Sequence, residues 1–301
     1  MSTPKTSSWI YKYLFIGLIW GSSFYFISLG LQTLPPVGVA FWRTAIGAVT
    51  LLIVLLVMRI KFPRGIKTWL LIWVAGLMMS GIPAILFSYA EQHVSSALAA
   101  IINSSTPIFT VIAIMIAFRA EKPKREVVIG LAVGLVGVFV VLGIWNGFGD
   151  NDPLAIGALL LAVSFYGVGS PFVRRYIEPL KIKPEAAVFG QVTTSALTLL
   201  PLYAMGALTV GPLTSSAFWG MLALGALGTG LAYVLYYQLL ATVGSAIASA
   251  VTYMSPIIGV GLGVLLLGET ISWHEPVGAV IVLFGAAVAQ GRFKFMSRPK
   301  K

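Results

Sequence analysis

Long apolar runs fill almost the whole sequence, and they constrain the fold more than any other feature. Each run has roughly the 20 residues that cross a bilayer as a helix. Charged residues make up only 10% of the chain, against about 25% in a soluble domain, so its surface is suited to lipid. We therefore predict an all-α integral membrane protein with ten transmembrane helices. The predicted spans are Tyr13–Leu31, Val37–Met58, Thr68–Ala90, Ser95–Phe118, Val127–Ile144, Leu154–Val173, Ala186–Met205, Ser215–Leu239, Ser245–Leu267 and Glu275–Gln290.

One boundary between these spans carries no charge. Only Ala241-Thr242-Val243-Gly244 separates the eighth run from the ninth. The combined run from Ser215 to Leu267 is too long for a single crossing, so a turn is predicted there.

Basic residues are distributed unevenly between the connecting segments. If the chain crosses ten times, 19 of its 20 Lys and Arg residues lie on one side, and Arg43 lies inside helix 2. This positive-inside pattern predicts that both termini are cytoplasmic. The predicted location is a plasma membrane, as a multi-pass protein of a bacterial inner membrane. The net charge of +11 is then a topology signal, so the bilayer is an expected partner and nucleic acid is not.

The two halves of the chain resemble each other at an offset of about 148 residues. Five helices is an odd number, so the second copy must be inverted, as in the inverted repeats of secondary transporters. The predicted organisation is an N-terminal cytoplasmic segment at 1–12, five-helix repeats at 13–145 and 154–291, and a basic cytoplasmic tail at 292–301. The matched positions are Ser95–Ala100 with Gly244–Ser249, Pro107 with Pro256, Glu121 with Glu269, Gly130 and Gly137 with Gly278 and Gly285, and Arg43 with Gln191.

Several short motifs together resemble one family. They are Trp20-Gly21-Ser22-Ser23-Phe24, Arg43, the Ala-rich openings of helices 4 and 9, Pro107, Pro256 and Leu267-Gly268-Glu269. With ten helices and a duplication, the chain from Tyr13 to Gln290 resembles the drug/metabolite transporter superfamily, and within it the EamA-type transporters. Its first copy departs slightly, with Arg119-Ala120-Glu121 in place of Leu-Gly-Glu. The resemblance implies a carrier, often an exporter of amino acids and other small metabolites. It also implies a central cavity formed mainly by helices 1–4 and 6–9.

Two proline-containing helices contain the strongest candidates for a substrate site. A proline frees the carbonyl four residues earlier, here at Asn103 and Thr252, and Pro107 and Pro256 are the predicted hinges. The freed groups either face a substrate or are satisfied by Ser and Thr hydroxyls of the same helix. The predicted substrate-binding residues in these helices are Asn103, Thr106, Thr252 and Tyr253.

Arg43 is the only basic residue inside a predicted span. An intramembrane charge is costly and is by default a functional candidate, although Arg43 lies close enough to the helix end to snorkel. It either faces the substrate or a gate, or is structural. Its repeat partner Gln191 is neutral, which argues against a dedicated organophosphate carrier, and both are predicted as substrate-binding.

Aromatic residues within the spans are candidates for the cavity wall, because they combine an apolar body with a hydrogen-bonding tip. The alternative is an interfacial aromatic belt. The predicted binding residues of this kind are Trp20, Tyr89, Tyr166, Tyr233 and Tyr237, and Tyr236 is a further candidate.

Residues for chemistry are scarce in the predicted spans. The chain has no Cys, its two His residues fall in predicted loops, and no carboxylate lies clearly in mid-membrane. We therefore predict no catalytic residues, no metal site and no cofactor. Glu91 beside His93 is the one position where a proton carrier could lie, and the favoured interpretation is that both are solvated loop residues. The predicted function is secondary transport of a small-molecule substrate by alternating access. The alternatives are a non-transporting membrane subunit or sensor and, less favoured, an intramembrane enzyme.

Glycines are spaced along the fifth and tenth runs. Small residues let membrane helices approach closely, so Gly130, Gly134 and Gly137, with Gly278 and Gly285, predict packing between repeats or between protomers. A homo-oligomer through helices 5 and 10 is therefore one expected assembly.

Overall fold

Helices are the only regular elements in the part of the chain that the structure, a computed structural model, describes. It describes residues 6–117, 125–143, 145, 152–206 and 214–289. We number the helices in chain order, joining segments that continue through an irregular turn. They are α1 Thr6–Leu31, α2 Pro36–Val57, α3 Ile66–Ala90, α4 Ser96–Ile116, α5 Arg125–Val141, α6 Pro153–Leu180, α7 Pro184–Gly206, α8 Ser215–Val243, α9 (Ser245–Ser249, Ala250–Met254 and Ser255–Leu267) and α10 His274–Ala289.

Eight helices of the described ranges are long and apolar enough to cross a membrane, and two shorter apolar stretches lie in α5 and α10 at Ala132–Val141 and His274–Gly285. The predicted positions Arg119-Ala120-Glu121 and the tail at 292–301 fall outside the described residues.

The turn predicted between the eighth and ninth runs is confirmed. Gly244 has φ of +81°, a conformation that glycine adopts without steric cost. Helix α8 thus ends at Val243, four residues beyond the predicted Leu239, because no charge or proline interrupts it earlier.

Helix α6 also runs further than predicted, to Leu180 instead of Val173. Pro171 lies inside it and is followed by a π-helical turn at Val173–Ile177. Such a turn changes the hydrogen-bond spacing without ending the helix, so the proline and the two arginines after it do not mark the boundary.

Four central helices are irregular in matched pairs. Helices α3 and α8 contain π-helical turns at Leu77–Gly81 and Leu224–Leu231. Helix α4 is interrupted at Ser104 and Ser105, and α9 tightens to a 3-10 turn at Ala250–Met254. In both pairs the offset is close to the 148 residues found in the sequence.

The glycines of α5 and α10 pack these two helices against each other. A Cβ added to Gly285 would lie 2.3 Å from the backbone nitrogen of Gly134, and one added to Gly137 would lie 2.5 Å from that of Val282. The packing predicted between repeats is therefore present within one chain. A homo-oligomer through these helices stays a prediction, and it would use their other faces.

The remaining helices surround the centre of the molecule. Helix α1 contacts α2, α3, α4, α8 and α9, while α3 and α4 pack on α6 and α2 packs on α7. The pair formed by α5 and α10 lies beside this group, so it is peripheral, as the resemblance implies.

Candidate functional site

A cavity lies at the centre of the bundle and receives side chains from both halves of the sequence. Seven helices contribute to it, whereas α5, α7 and α10 contribute none of the described lining residues. The lining residues are Trp20, Ser23, Phe24 and Ile27 of α1, Arg43 of α2, Met79 and Phe87 of α3, Asn103 and Thr106 of α4, Tyr166 and Ser170 of α6, Tyr233 and Tyr236 of α8, and Ser249 and Thr252 of α9.

The hydroxyls of α4 satisfy most of the backbone groups freed at its break. Ser104 donates to the carbonyl of Ile101 at 2.5 Å and Ser105 to that of Ile102 at 2.7 Å. Thr106 donates to the carbonyl of Asn103 at 2.7 Å. Of the two alternatives left open by the sequence, local satisfaction holds for the Asn103 carbonyl, the group freed by Pro107.

The side chain of Asn103 joins the two interrupted helices. Its Nδ2 donates to Ser255 Oγ of α9 at 3.2 Å, and Asn103 is 6% exposed. On the α9 side, the Thr252 hydroxyl donates to the carbonyl of Ser249 at 2.9 Å. The cavity is therefore bounded here by a polar seam between the two halves.

Arg43 reaches the cavity from α2 and is 6% exposed. Its Nε donates to Thr229 Oγ1 at 3.2 Å, and the Thr229 hydroxyl donates in turn to the carbonyl of Leu224 at 3.2 Å. The π-helical turn of α8 thus supplies the anchor, and Arg43 does not snorkel to a surface.

Aromatic rings form much of the remaining wall. Trp20 lies against Tyr233 and Tyr236, with ring centroids 5.3 Å and 5.0 Å away, and its Nε1 donates to the carbonyl of Gly228 at 2.9 Å. Phe87 stacks on Tyr166 at 5.9 Å. These hydrogen bonds and ring contacts hold the aromatic side chains in place.

Four predicted binding residues are absent from the lining of the cavity. Gln191 is fully buried behind it, where it donates to Ser80 Oγ at 2.6 Å and accepts a hydrogen bond from the Tyr237 hydroxyl. Tyr89 packs against His93 with ring centroids 5.0 Å apart, and Tyr237 and Tyr253 are likewise not among the lining residues. The hydropathy of a span does not fix the rotation of its helix, so the sequence could not separate these residues from their neighbours.

The sequence interpretation also missed lining residues. Ser170, whose hydroxyl lies 2.8 Å from that of Tyr236, resembles any small residue of a membrane helix. Ile27, Met79 and Phe87 have the same chemical character as lipid-facing residues. The available signals were Ser23 and Phe24 within the Trp20 motif and Ser249 at the Ala-rich opening of the ninth run.

Side-chain hydrogen bonds join helices on both sides of the cavity. Lys12 Nζ of α1 donates to Gln238 Oε1 of α8 at 2.6 Å, and Gln238 donates to Glu185 Oε1 of α7 at 3.4 Å. Near the other end of α1, Ser28 Oγ donates to Glu91 Oε2 at 3.1 Å. Helix α1 therefore takes part in the inter-helix contacts at both ends.

Two carboxyl groups at the Ser28 end make specific contacts within the protein. Glu91 Oε1 is buried and has no hydrogen-bond partner among the described residues, so Glu91 is only partly solvated, whereas His93 is exposed as expected. Glu269 accepts hydrogen bonds from the backbone N–H groups of Ser96 and Ala97 at 2.8 and 3.0 Å. It thereby caps the first turn of α4, where anionic groups are favoured.

Metal binding has no support within the described ranges, which contain no group of three or more His, Cys, Asp or Glu side chains able to hold an ion.

The overall fold occurs in a solved structure. The chain aligns with it at a TM-score of 0.70 and 18% identity, over 96% of this chain and 99% of the other. At this identity the likeness concerns the fold alone.

Proteins named as transporters are similar to the chain along most of its length. It is 28% identical to the uncharacterized inner membrane transporter YedA of Escherichia coli, over 94% of this chain and 90% of the relative. It is 26% identical to a probable amino-acid metabolite efflux pump of Salmonella typhimurium, over 90% and 91%. The EamA-like transporter family matches residues 7–143 and again residues 153–290. The chain is therefore a multi-pass membrane protein and belongs to the EamA-like transporter family.

Proposed function

We propose that this protein is a secondary transporter that exports amino acids or related small metabolites by alternating access. The observation that carries the proposal is the central cavity, which is lined by both halves of the chain and bounded by hydrogen bonds between helices at both ends. A cavity at the interface of two repeats is where secondary transporters bind substrate. The name of the Salmonella relative supports amino-acid metabolites as the substrate class.

In this proposal the chain crosses the membrane ten times as two inverted five-helix repeats, at 13–145 and 154–291. The segments 1–12 and 292–301 are cytoplasmic. The double match to the family and the paired irregular turns support this organisation. The Lys12 end of α1 is then the inner end, and the Ser28 end is the outer end.

Alternating access requires the contacts at the Lys12 end and those at the Ser28 end to open in turn. Opening the inner end separates Lys12 and Glu185 from Gln238, and opening the outer end separates Ser28 from Glu91. The π-helical turns and the proline breaks lie between these ends, where they provide positions for bending. Pro107 and Pro256 are the proposed hinges.

Purified protein in liposomes tests the proposal directly. Vesicles loaded with radiolabelled amino acids are expected to lose label faster than protein-free vesicles. Asn103→Ala and Thr252→Ala reduce this flux by about tenfold or more, because both residues face the cavity. Thr242→Ala is the matched control, since Thr242 is exposed and makes only a local hydrogen bond to Gln238.

Unchanged flux with both cavity substitutions contradicts the proposed site. No protein-dependent flux for any amino acid contradicts the substrate class. In vesicles with an imposed pH gradient, a loss of gradient-driven flux on adding a protonophore would show that transport is coupled to protons.

A further inference from the structure

The charges in the cavity are one-sided. Among the described residues that line it, Arg43 is the only charged one, and none is a carboxylate. The Arg43 guanidinium is held at Nε by Thr229. Its terminal nitrogens have no hydrogen bond to the described residues, and no carboxylate of these ranges lies within ion-pair distance. The cation is therefore held in position without an ion pair to the described residues, and Glu91, a carboxyl group on which its charge acts, is not among the lining residues.

A buried cation without a counterion is costly, and adding a carboxylate recovers much of that cost. The guanidinium offers its remaining N–H groups as a planar fork that matches a carboxylate, and paired hydrogen bonds of this kind are strong. A cationic ligand would instead be repelled by Arg43 and would find no carboxylate among the described lining residues. The electrostatics of the cavity thus favour an anionic group on the ligand.

The rest of the wall suits an apolar or flat body. Trp20, Tyr233 and Tyr236 form one aromatic cluster, and Phe24, Phe87 and Tyr166 form another, with Phe24 and Phe87 5.6 Å apart. Such rings favour an apolar or aromatic ligand, because they offer a large apolar contact area and can stack on another ring. The hydroxyls of Thr106 and Ser170 already have partners within the protein, so the polar atoms of the wall are largely committed.

We propose that the cavity recognises an organic monocarboxylate with an apolar or aromatic body, through its carboxylate at Arg43, and that an α-amino group is not required. This inference rests on the proposed function, because it names the ligand of the same cavity. For an amino-acid ligand, the inference predicts that the cavity recognises the carboxylate and not the amino group. Deaminated analogues are then ligands of the same site, and decarboxylated amines are not.

Three probes that share one ring separate the two functional groups. They are phenylalanine, 3-phenylpropionate, which lacks the amino group, and phenethylamine, which lacks the carboxylate. Binding to purified protein is measured by calorimetry and by the rise in the thermal unfolding midpoint, since a ligand specific for the folded state stabilises it. We expect phenylalanine and 3-phenylpropionate to bind within about tenfold of each other, and phenethylamine to bind at least tenfold more weakly.

Substitutions assign the effect to the guanidinium. Arg43→Gln is expected to weaken the binding of both carboxylate ligands, phenylalanine and 3-phenylpropionate, by tenfold or more. Arg43→Lys should weaken their binding by less, because lysine keeps the positive charge but lacks the planar pair of N–H donors. Thr229→Val removes the hydrogen-bond acceptor of Arg43 Nε with little change in side-chain shape, and it should weaken the binding of the same two ligands. Arg59→Gln, which changes an arginine outside this cavity, leaves binding unaltered. If Arg43→Gln does not fold, Arg43→Lys and Thr229→Val provide the comparison.

Several results would overturn the inference. They are phenethylamine binding as tightly as 3-phenylpropionate, a requirement for the amino group, or carboxylate binding that survives Arg43→Gln. Absence of binding by all three probes at millimolar concentration would also overturn it. The liposome flux of amino acids is measured independently, so amino-acid flux without carboxylate selectivity disproves the inference while the proposed function stands.

Discussion

The carboxyl group of Glu91 lies at the end of α3. Its Oε2 accepts a hydrogen bond from Ser28, and its Oε1 is buried without a hydrogen-bond partner among the described residues. Burial raises the pKa of the Glu91 carboxyl well above its usual range. The hydrogen bond from Ser28 lowers this pKa, the negative charge of Glu269 raises it, and the positive charge of Arg43 lowers it. The protonated form is therefore favoured in the folded protein relative to the unfolded chain.

Glu91→Gln is expected to change how stability depends on pH. When folding raises the pKa of a carboxyl group, that group adds its full contribution to the free energy of unfolding below its unfolded pKa of about 4.3. The contribution is lost as the pH rises through the folded pKa. Glutamine does not ionise, so the Glu91→Gln variant does not lose this stability as the pH rises. The thermal unfolding midpoint of Glu91→Gln should exceed that of the wild type at pH 8, and the gap should narrow towards pH 5.

Glu178→Gln is the control for this measurement, because Glu178 is exposed on the other side of the protein in the proposed orientation. It should leave the pH profile unchanged. A constant difference between Glu91→Gln and the wild type from pH 5 to pH 8 would contradict the assignment.

The sequence indicated the position of a residue best where that residue is chemically unusual for its surroundings, although substrate binding by these residues stays a prediction. Arg43, Asn103 and Trp20 are polar or bulky groups within apolar spans, and all three line the cavity. Gln191 is as unusual, yet it serves to hold Ser80 and Tyr237. Its role depends on which way α7 is rotated, and that is decided by packing against α2 and α3.

At the scale of elements, close packing of α5 on α10 depends on glycine at particular positions. A methyl group at position 285 would meet the backbone of Gly134 and Gly130 at 2.3 and 2.7 Å. Backbone atoms cannot move aside as the end of a side chain can, so the two helices would have to separate.

Gly285→Ala is therefore expected to destabilise the protein by about 1–3 kcal/mol, the usual range for overpacking. Thermal unfolding in detergent, followed by tryptophan fluorescence, measures the effect. Gly157→Ala is a matched control, because an added Cβ there has nothing within 4 Å. Equal stability of the two variants would show that the glycine contact is dispensable.

The existence of the helices and the irregular turns before Pro107 and Pro256 were predictable, whereas the π-helical turns were not. Apolar length predicts a span, and the four residues before Ser245 predicted the turn after α8. The π-helical turns at Leu77–Gly81 and Leu224–Leu231 have no such local signal. They depend on neighbouring helices, as the Thr229 hydroxyl between Leu224 and Arg43 illustrates.

At the scale of the whole molecule, the orientation in the membrane remains the prediction most open to direct measurement. The chain contains no cysteine, so single cysteines can be introduced without first removing others. Ser272→Cys should react with a membrane-impermeant maleimide in intact cells. Lys61→Cys and Lys301→Cys should react only after the cells are permeabilised.

This pattern would place both the α2–α3 connection and the C-terminus in the cytoplasm, with the α9–α10 connection outside. Labelling of Lys301→Cys in intact cells would contradict an even number of crossings from a cytoplasmic N-terminus. Retained amino-acid flux in each variant is the control for correct folding.

In the proposed orientation, the cap that Glu269 forms on α4 lies at the outer end, and it has a consequence for how that end is held together. An ion pair would need a lysine or arginine there, and each one would weaken the charge asymmetry that orients the chain during insertion. The N–H groups of Ser96 and Ala97 hold the carboxylate with peptide dipoles instead. Backbone amides carry no net charge, so they hold this carboxylate without placing a basic residue on that side.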